Sequence, residues 1–229
     1  MTLRDKMQRE QQAKSLFEQA QHYAFEYADE ALVRNVFPSD QALADLKHFD
    51  EALPENSGDA LAILEQLHRY GSPASVAQTG GRYFGFVNGG ILPVTLATKL
   101  LTDFWDQNTA LYAMSPITSR LEEICERWLR ELFHLPDSTV AGFVSGTSSA
   151  ILCGLAAARY RIFKNHDWDF NQRGHNGAPP IRIIASSTTH GAVVKAIALL
   201  GFGIDNIEWV DCDDQGRIIP SAMPALDNR

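Results

Sequence analysis

The sequence predicts an α/β fold preceded by a helical N-terminal segment. Three observations carry this. Residues 4–36 repeat apolar side chains at helical spacing. From residue 139 onward, short apolar runs alternate with longer helical patterns, the order of a sheet that is at least partly parallel. Between the first of those runs and the helix behind it stands a small, hydroxyl-rich turn, Ser145-Gly146-Thr147-Ser148-Ser149. The chain accordingly divides into residues 1–92, helical with an aromatic and glycine-rich loop at its end, and residues 93–229, the α/β part.

Within residues 4–36, Leu16, Ala20, Tyr23, Tyr27 and Ala31 fall on one helix face, and Pro38 ends the run. A second helix is expected over Asp40 to Phe49. Ser57 is expected to cap a third, with Leu61, Leu64 and Leu67 inward and Gly71 just past its end. Residues 71–92 are irregular, with Tyr83, Phe84 and Phe86 interleaved among glycines; such a loop reads equally as a substrate wall or as a hydrophobic anchor. Pro93 opens a helix that runs to Phe104. Ser115-Pro116 opens another, whose stripe of Ile117, Leu121, Ile124, Trp128 and Leu132 is expected in the core until Pro136 stops it. Strands are predicted at Thr139–Val144, Ile181–Ala185 and Ile207–Val210. Asn165 to Pro180 reads as a polar loop with His166 and His175 facing solvent. His190 to Leu200 reads as a helix with Gly201 at its C′ position, and Ser221 as the cap of a last helix.

Lys and Arg number 20 against 28 Asp and Glu, a formal charge of −8. An acidic chain without basic clusters argues against nucleic acid as a partner. No apolar run approaches the length that spans a bilayer, and the first ten residues lack the apolar core of a signal peptide. Cys125, Cys153 and Cys212 are odd in number and far apart, the pattern of buried free thiols in a reducing cytosol, so a cytoplasmic location is expected. The histidines are scattered, with no His-x-x-x-His or Cys-x-x-Cys pair, and no metal site is expected.

The turn at residues 145–149 joins an apolar run to a helix N-terminus. The first amides of a helix lack internal partners and carry the positive end of its dipole, so a phosphate group suits them. Thr147, Ser148 and Ser149 can add hydroxyl donors. The same residues would serve equally as an ordinary helix cap that binds nothing. The turn lacks the Gly-Lys-Ser/Thr of a nucleoside-triphosphate loop and the spaced glycines of a dinucleotide fingerprint. It also lacks the flanking glycines of a hydrolase nucleophile elbow.

The rest of the chain adds an ordered set of motifs. Arg82-Tyr83-Phe84-Gly85-Phe86-Val87-Asn88-Gly89-Gly90 comes first, then Trp105-Asp106-Gln107-Asn108 and Ser115-Pro116-Ile117-Thr118-Ser119-Arg120-Leu121-Glu122. The turn follows, and Thr189-His190-Gly191-Ala192-Val193-Val194-Lys195-Ala196 comes last. The ordered set resembles the group II pyridoxal-phosphate-dependent amino-acid decarboxylases, which include the aromatic-amino-acid, tyrosine and glutamate enzymes. The resemblance implies an N-terminal helical, dimerising segment followed by the first part of a fold type I large domain. It implies pyridoxal 5′-phosphate as cofactor, an amino acid as substrate and a homodimer. Position by position, the phosphate cradle falls on Gly146, Thr147 and Ser148. His190 falls where an imidazole stacks on the cofactor ring beside the departing carboxylate. Asn88 and Gly89 match a loop that approaches the cofactor phosphate or substrate, often from the neighbouring subunit.

Family chains are about twice this length, which implies that the aspartate facing the pyridine nitrogen and the lysine that holds the cofactor as a Schiff base lie beyond residue 229. Lys164 and Lys195 do not sit in the family's lysine motif. The central strands of the sheet would also come later, leaving the edges of Thr139–Val144 and Ile181–Ala185 unpaired. A stable active monomer is therefore not expected, and the last residues, Ala225 to Arg229, break off where a helix is expected. Ile151 stands where many relatives have Asn, which bears on the subgroup. The other readings are a non-catalytic remnant that dimerises or binds phosphate, or completion by a C-terminal half. Another lyase or transaminase-like reaction of the same cofactor is also open.

Overall fold

A computed structural model describes residues 2–225. The chain forms two compact units, Met1–Gln107 and Asn108–Arg229.

The first unit is helical. Helix α1, Leu3–Ala13, starts with a capping box: Thr2 Oγ1 accepts from the Asp5 amide, and the Asp5 carboxylate accepts from the Thr2 amide. The single helix expected over residues 4–36 is in fact two. Lys14 adopts a left-handed conformation (φ 59°), and α2, Ser15–Val33, restarts with the Phe17 and Glu18 amides on the Lys14 carbonyl. The predicted face of α2 is the one turned inward, with Ala31 buried and Leu16, Ala20, Tyr23 and Tyr27 half-buried. Helix α3, Asp40–Asp45, is capped by Ser39 and runs into a 3-10 turn, Leu46–Phe49. Helix α4, Ala60–Gln66, is capped by Asp59 rather than Ser57; the carboxylate accepts from the Ala62 amide at 3.2 Å. Only Leu64 of the predicted inward set is half-buried, while Leu61 and Leu67 are exposed. Gly71 does not end this helix. Its φ of −81° is ordinary, and the π-helical turn Leu67–Gly71 continues into α5, Ser72–Ala74. Pro93 opens α6, Pro93–Asp103, as its fixed φ favours.

The second unit holds helix α7, Pro116–Leu132, helix α8, Thr147–Asn165, and the short α9, Phe170–Arg173. Strand β1, Ile183–Ser186, then helix α10, Gly191–Leu199, and strand β2, Ile207–Val210, complete a βαβ unit. β1 and β2 pair in parallel, with Ile183 opposite Ile207 and Ser186 opposite Val210. Phe163, Ala196, Ile197, Leu200, Ile207 and Val210 are buried around the packing of α8 on α10. Gly201, at φ 82°, closes α10 in the C′ role its sequence predicts.

Several expectations fail here for physical reasons. Thr139–Val144 is not a strand, because nothing among the described residues offers it a ladder. It is held by α7 side chains instead: Glu126 accepts from the Ala141 amide at 2.9 Å and Arg130 donates to the Thr139 carbonyl at 3.4 Å. The α7 stripe is not core, and Trp128 keeps 60% of its surface. Of the cysteines, Cys153 is exposed and Cys125 and Cys212 are half-buried, all with free thiols. His166 and His175 are both exposed, as expected, although the His175 ring also packs edge-on to Phe163, Phe170 and Phe202 with its Nε2 2.7 Å from the Leu200 carbonyl. Ser221 lies in a 3-10 turn, Pro220–Ala222, without a side-chain cap. The helix expected over the last residues lies mostly outside the described residues.

The accessible surface is 17869 Å². Two separate compact units sharing the chain's mass equally would expose only about 12,500 Å² between them. Large apolar side chains contribute to the exposed surface, among them Val94, Leu100, Leu121, Trp128, Leu132 and Val140.

Candidate cofactor site

Helix α8 is long, and its N-terminus is uncapped. Gly146 occupies the N-cap position with extended backbone and no side chain to offer, and its carbonyl accepts from Ala150. The amides of Thr147, Ser148 and Ser149 therefore point out of the helix without an internal acceptor. A Cβ placed on Gly146 would meet nothing within 4 Å, so the space before the helix is open. Thr147 and Ser148 are exposed and Ser149 is half-buried. Their hydroxyls make no hydrogen bond among the described residues. Backbone donors, hydroxyls, a helix dipole and open space fit a phosphate monoester.

His190 stands between β1 and α10, past the carboxyl end of a parallel strand, where ligands of such sheets bind. It is the N-cap of α10. Its Nδ1 accepts from the Ala192 amide at 3.1 Å, which leaves the proton of the neutral ring on Nε2. The imidazole is exposed and its orientation is fixed from one side. At their other ends α8 and α10 are tied together. Arg159 of α8 donates to the Leu200 carbonyl at 2.9 Å while its guanidinium covers the Phe170 ring.

Beside His190 the strand ends gather a cluster that the sequence did not reveal. Ser186 Oγ lies 3.0 Å from Cys212 Sγ and 2.8 Å from Thr188 Oγ1. The Ser186 hydroxyl, with smaller help from Thr188 and Ser187, holds the Cys212 thiol below its ordinary pKa. The run Ser186-Ser187-Thr188-Thr189 was visible. Its partner is brought close only by the parallel pairing of β1 with β2.

Asn88 belongs to the first unit. Its amide donates to the Gly85 carbonyl, and the neighbouring Phe84, Phe86 and Val87 are almost fully exposed. Phe86 and Val87 take φ values of 53° and 56°, uncommon for any side chain and more so for a β-branched one. Gly89 follows at φ 104°, and a Cβ there would sit 2.8 Å from the Gln78 carbonyl oxygen. Among the described residues no three His, Cys, Asp or Glu side chains converge to hold a metal, and no helix is long and apolar enough to cross a membrane.

A parallel βαβ unit with an uncapped helix start and an imidazole beyond a strand end places the second unit in the α/β class. Comparison with known proteins makes this specific. The model of the pyridoxal-dependent decarboxylase conserved domain matches residues 43–226, and the chain belongs to that family. Cysteine sulfinic acid decarboxylase from Mus musculus is 25% identical over 200 residues, covering 85% of this chain and 40% of the relative. The crystal structure of mouse CSAD superposes with a TM-score of 0.80 at 24% identity, over 92% of this chain and 44% of that one. The crystal structure of Oryza sativa TDC with PLP gives 0.74 at 20% identity, over 89% and 44%. The fold is that of the fold type I decarboxylases, and the chain spans less than half the length of the proteins it matches.

Proposed function

We propose that this chain builds the phosphate cradle and ring clamp of a pyridoxal-phosphate-dependent decarboxylase acting on an amino acid. The observation that carries the reading is the uncapped start of α8, with Gly146, Thr147 and Ser148 presenting amides and hydroxyls to open space. Pyridoxal phosphate, when bound, supplies the electron sink that loss of a carboxylate requires. In this reading Gly146, Thr147 and Ser148 hold its phosphate. His190 would stack its ring on the cofactor and offer its Nε2 proton to the substrate carboxylate. The packing of α8 on α10 supports a shared site. The two helices are joined at Arg159 and Leu200. Counting back about ten residues from each, roughly 15 Å of helix, arrives at Ser149 and at His190.

Asn88 and Gly89 are proposed to approach the phosphate or substrate of a neighbouring copy in a homodimer. The exposed apolar surface is consistent with such a partner, or with a complementing C-terminal half. A cytoplasmic protein without nucleic-acid partners fits the acidic composition. The second unit contains two lysines. Lys195 is exposed on α10 beyond His190, and Lys164 lies near the end of α8 over the Tyr160 ring. Neither lies in the lysine motif of the family this chain resembles. The 229-residue chain alone is therefore expected to release no carbon dioxide from any amino acid. The test of the cradle is titration with pyridoxal phosphate. Ser148→Ala removes a hydrogen bond to a charged group, about 1.5–3 kcal/mol or 10- to 150-fold in dissociation constant. An unchanged constant would make the turn a helix start and nothing more.

A further inference from the structure

The loop that carries Asn88 has a turn hydrogen bond of its own, from the Asn88 amide to the Gly85 carbonyl, and one side chain outside it ties its base to the end of α2. Arg34 follows the last residue of α2. Its Nη1 donates to the Ser72 carbonyl at 2.8 Å, and its Nη2 donates to the Ser75 carbonyl and to Ser75 Oγ, both at 2.9 Å. Tyr27 closes the arrangement, with its ring under the guanidinium at 4.9 Å and its hydroxyl 3.0 Å from Ser75 Oγ. One backbone bond and one further side chain repeat the tie. The Ala77 amide donates to the Val36 carbonyl, and Arg82 Nη2 donates to the Arg34 carbonyl. Gly80 lies so close to α2 that a Cβ would stand 2.7 Å from the Ala31 carbonyl oxygen.

We infer that Arg34 is a positioning residue for Asn88. Its planar fork reaches four acceptors, the Ser72 and Ser75 carbonyls, Ser75 Oγ and the Tyr27 hydroxyl, which a lysine ammonium, a point charge on a flexible stem, cannot match in the same geometry. With residues 72–82 fixed on α2, the chain from Tyr83 to Gly90 must make its turn in a short span. The left-handed conformations of Phe86 and Val87 and the tight approach of Gly89 to Gln78 follow. Residues held in such sparsely populated conformations need surrounding structure to impose them, and they concentrate at ligand sites. Arg34 supplies that structure from outside the loop. The role rests on the reading above, in which Asn88 approaches cofactor or substrate.

Two measurements test it. Amide hydrogen exchange is followed in the full chain for the parent, Arg34→Lys and Ser75→Ala, the second variant removing one acceptor and leaving the arginine. Exchange across residues 76–90 should rise at least tenfold in Arg34→Lys and less in Ser75→Ala, with α8 and α10 unchanged. Unchanged exchange in that loop would overturn the inference. The dissociation constant of pyridoxal phosphate is then compared in the assembled holoenzyme for Arg34→Lys, Asn88→Ala and the double variant. A positioning role requires Arg34→Lys to weaken binding and to add nothing once Asn88 is gone. A double variant as weak as the product of the two single effects would refute it. If Asn88→Ala leaves binding intact while loop exchange rises in Arg34→Lys, the site reading of Asn88 falls and the tie to α2 stands.

Discussion

His190 has two separable jobs in this account, and three substitutions divide them. As the N-cap of α10 it accepts from the Ala192 amide through Nδ1. As a proposed clamp it offers a flat ring and an Nε2 proton. Replacement by Ala removes both. Replacement by Asn keeps a strong N-cap and removes the ring. Replacement by Phe keeps a ring and loses the cap. Loss of a cap costs about 1 kcal/mol. For a unit of this size, with a urea slope of about 1–3 kcal/mol/M, the unfolding midpoint should fall by roughly 0.3–1 M in the Ala and Phe variants. The Asn variant should stay near the parent. Cofactor affinity should follow a different order, with Phe nearest the parent and Ala and Asn weaker. Turnover in an assembled enzyme should fall in all three, by about 10²–10⁴-fold if the imidazole takes part in proton transfer. Urea titration and pyridoxal phosphate titration on the same four proteins read the two orders. If affinity simply follows stability, with Asn equal to the parent in both, His190 is a cap and the clamp reading is wrong.

Two further outcomes follow from charge and hydrogen bonding. Because Ser186 holds the Cys212 thiol below its ordinary pKa, iodoacetamide should alkylate Cys212 at lower pH than an ordinary thiol, and Ser186→Ala should move that profile upward; a profile that does not move would remove Ser186 as the cause. Arg182 engages Glu208 through two hydrogen bonds, at 2.7 and 2.6 Å, and lowers its pKa. A lowered carboxylate pKa gives stability that is present above the ordinary glutamate value and is lost as pH falls through the folded one. Glu208→Gln should therefore be less stable than the parent at neutral pH and equal to it in acid, as thermal unfolding across that range would show.

Much of this architecture was legible because it rests on local rules. Helical periodicity found the inward face of α2. Pro93, Pro116 and Gly201 marked their helix ends through fixed φ, a missing amide and tolerance of positive φ. The open start of α8 was legible because the amides at a helix start need no distant partner. What failed depended on distant parts of the chain. Thr139–Val144 has the composition of a strand, but a strand exists only against a ladder. Trp128 and its neighbours have the spacing of a buried stripe, but burial needs a covering surface. The break at Lys14 had no breaker residue to announce it. Asp59 and Ser57 are both good caps, and only the backbone chose between them. The Ser186–Cys212 contact and the Arg34 tie span 26 and 41 residues, so no local pattern could disclose them.

The central claim is that a cofactor phosphate sits at the start of α8. Amide chemical shifts of the ¹⁵N-labelled chain, followed as pyridoxal phosphate is added and then displaced with inorganic phosphate, test this most directly. The account predicts saturable shifts largest at Thr147, Ser148 and Ser149, with inorganic phosphate reproducing those and not the accompanying change at the His190 ring. Shifts absent from these three amides, or largest elsewhere in the chain, would contradict it.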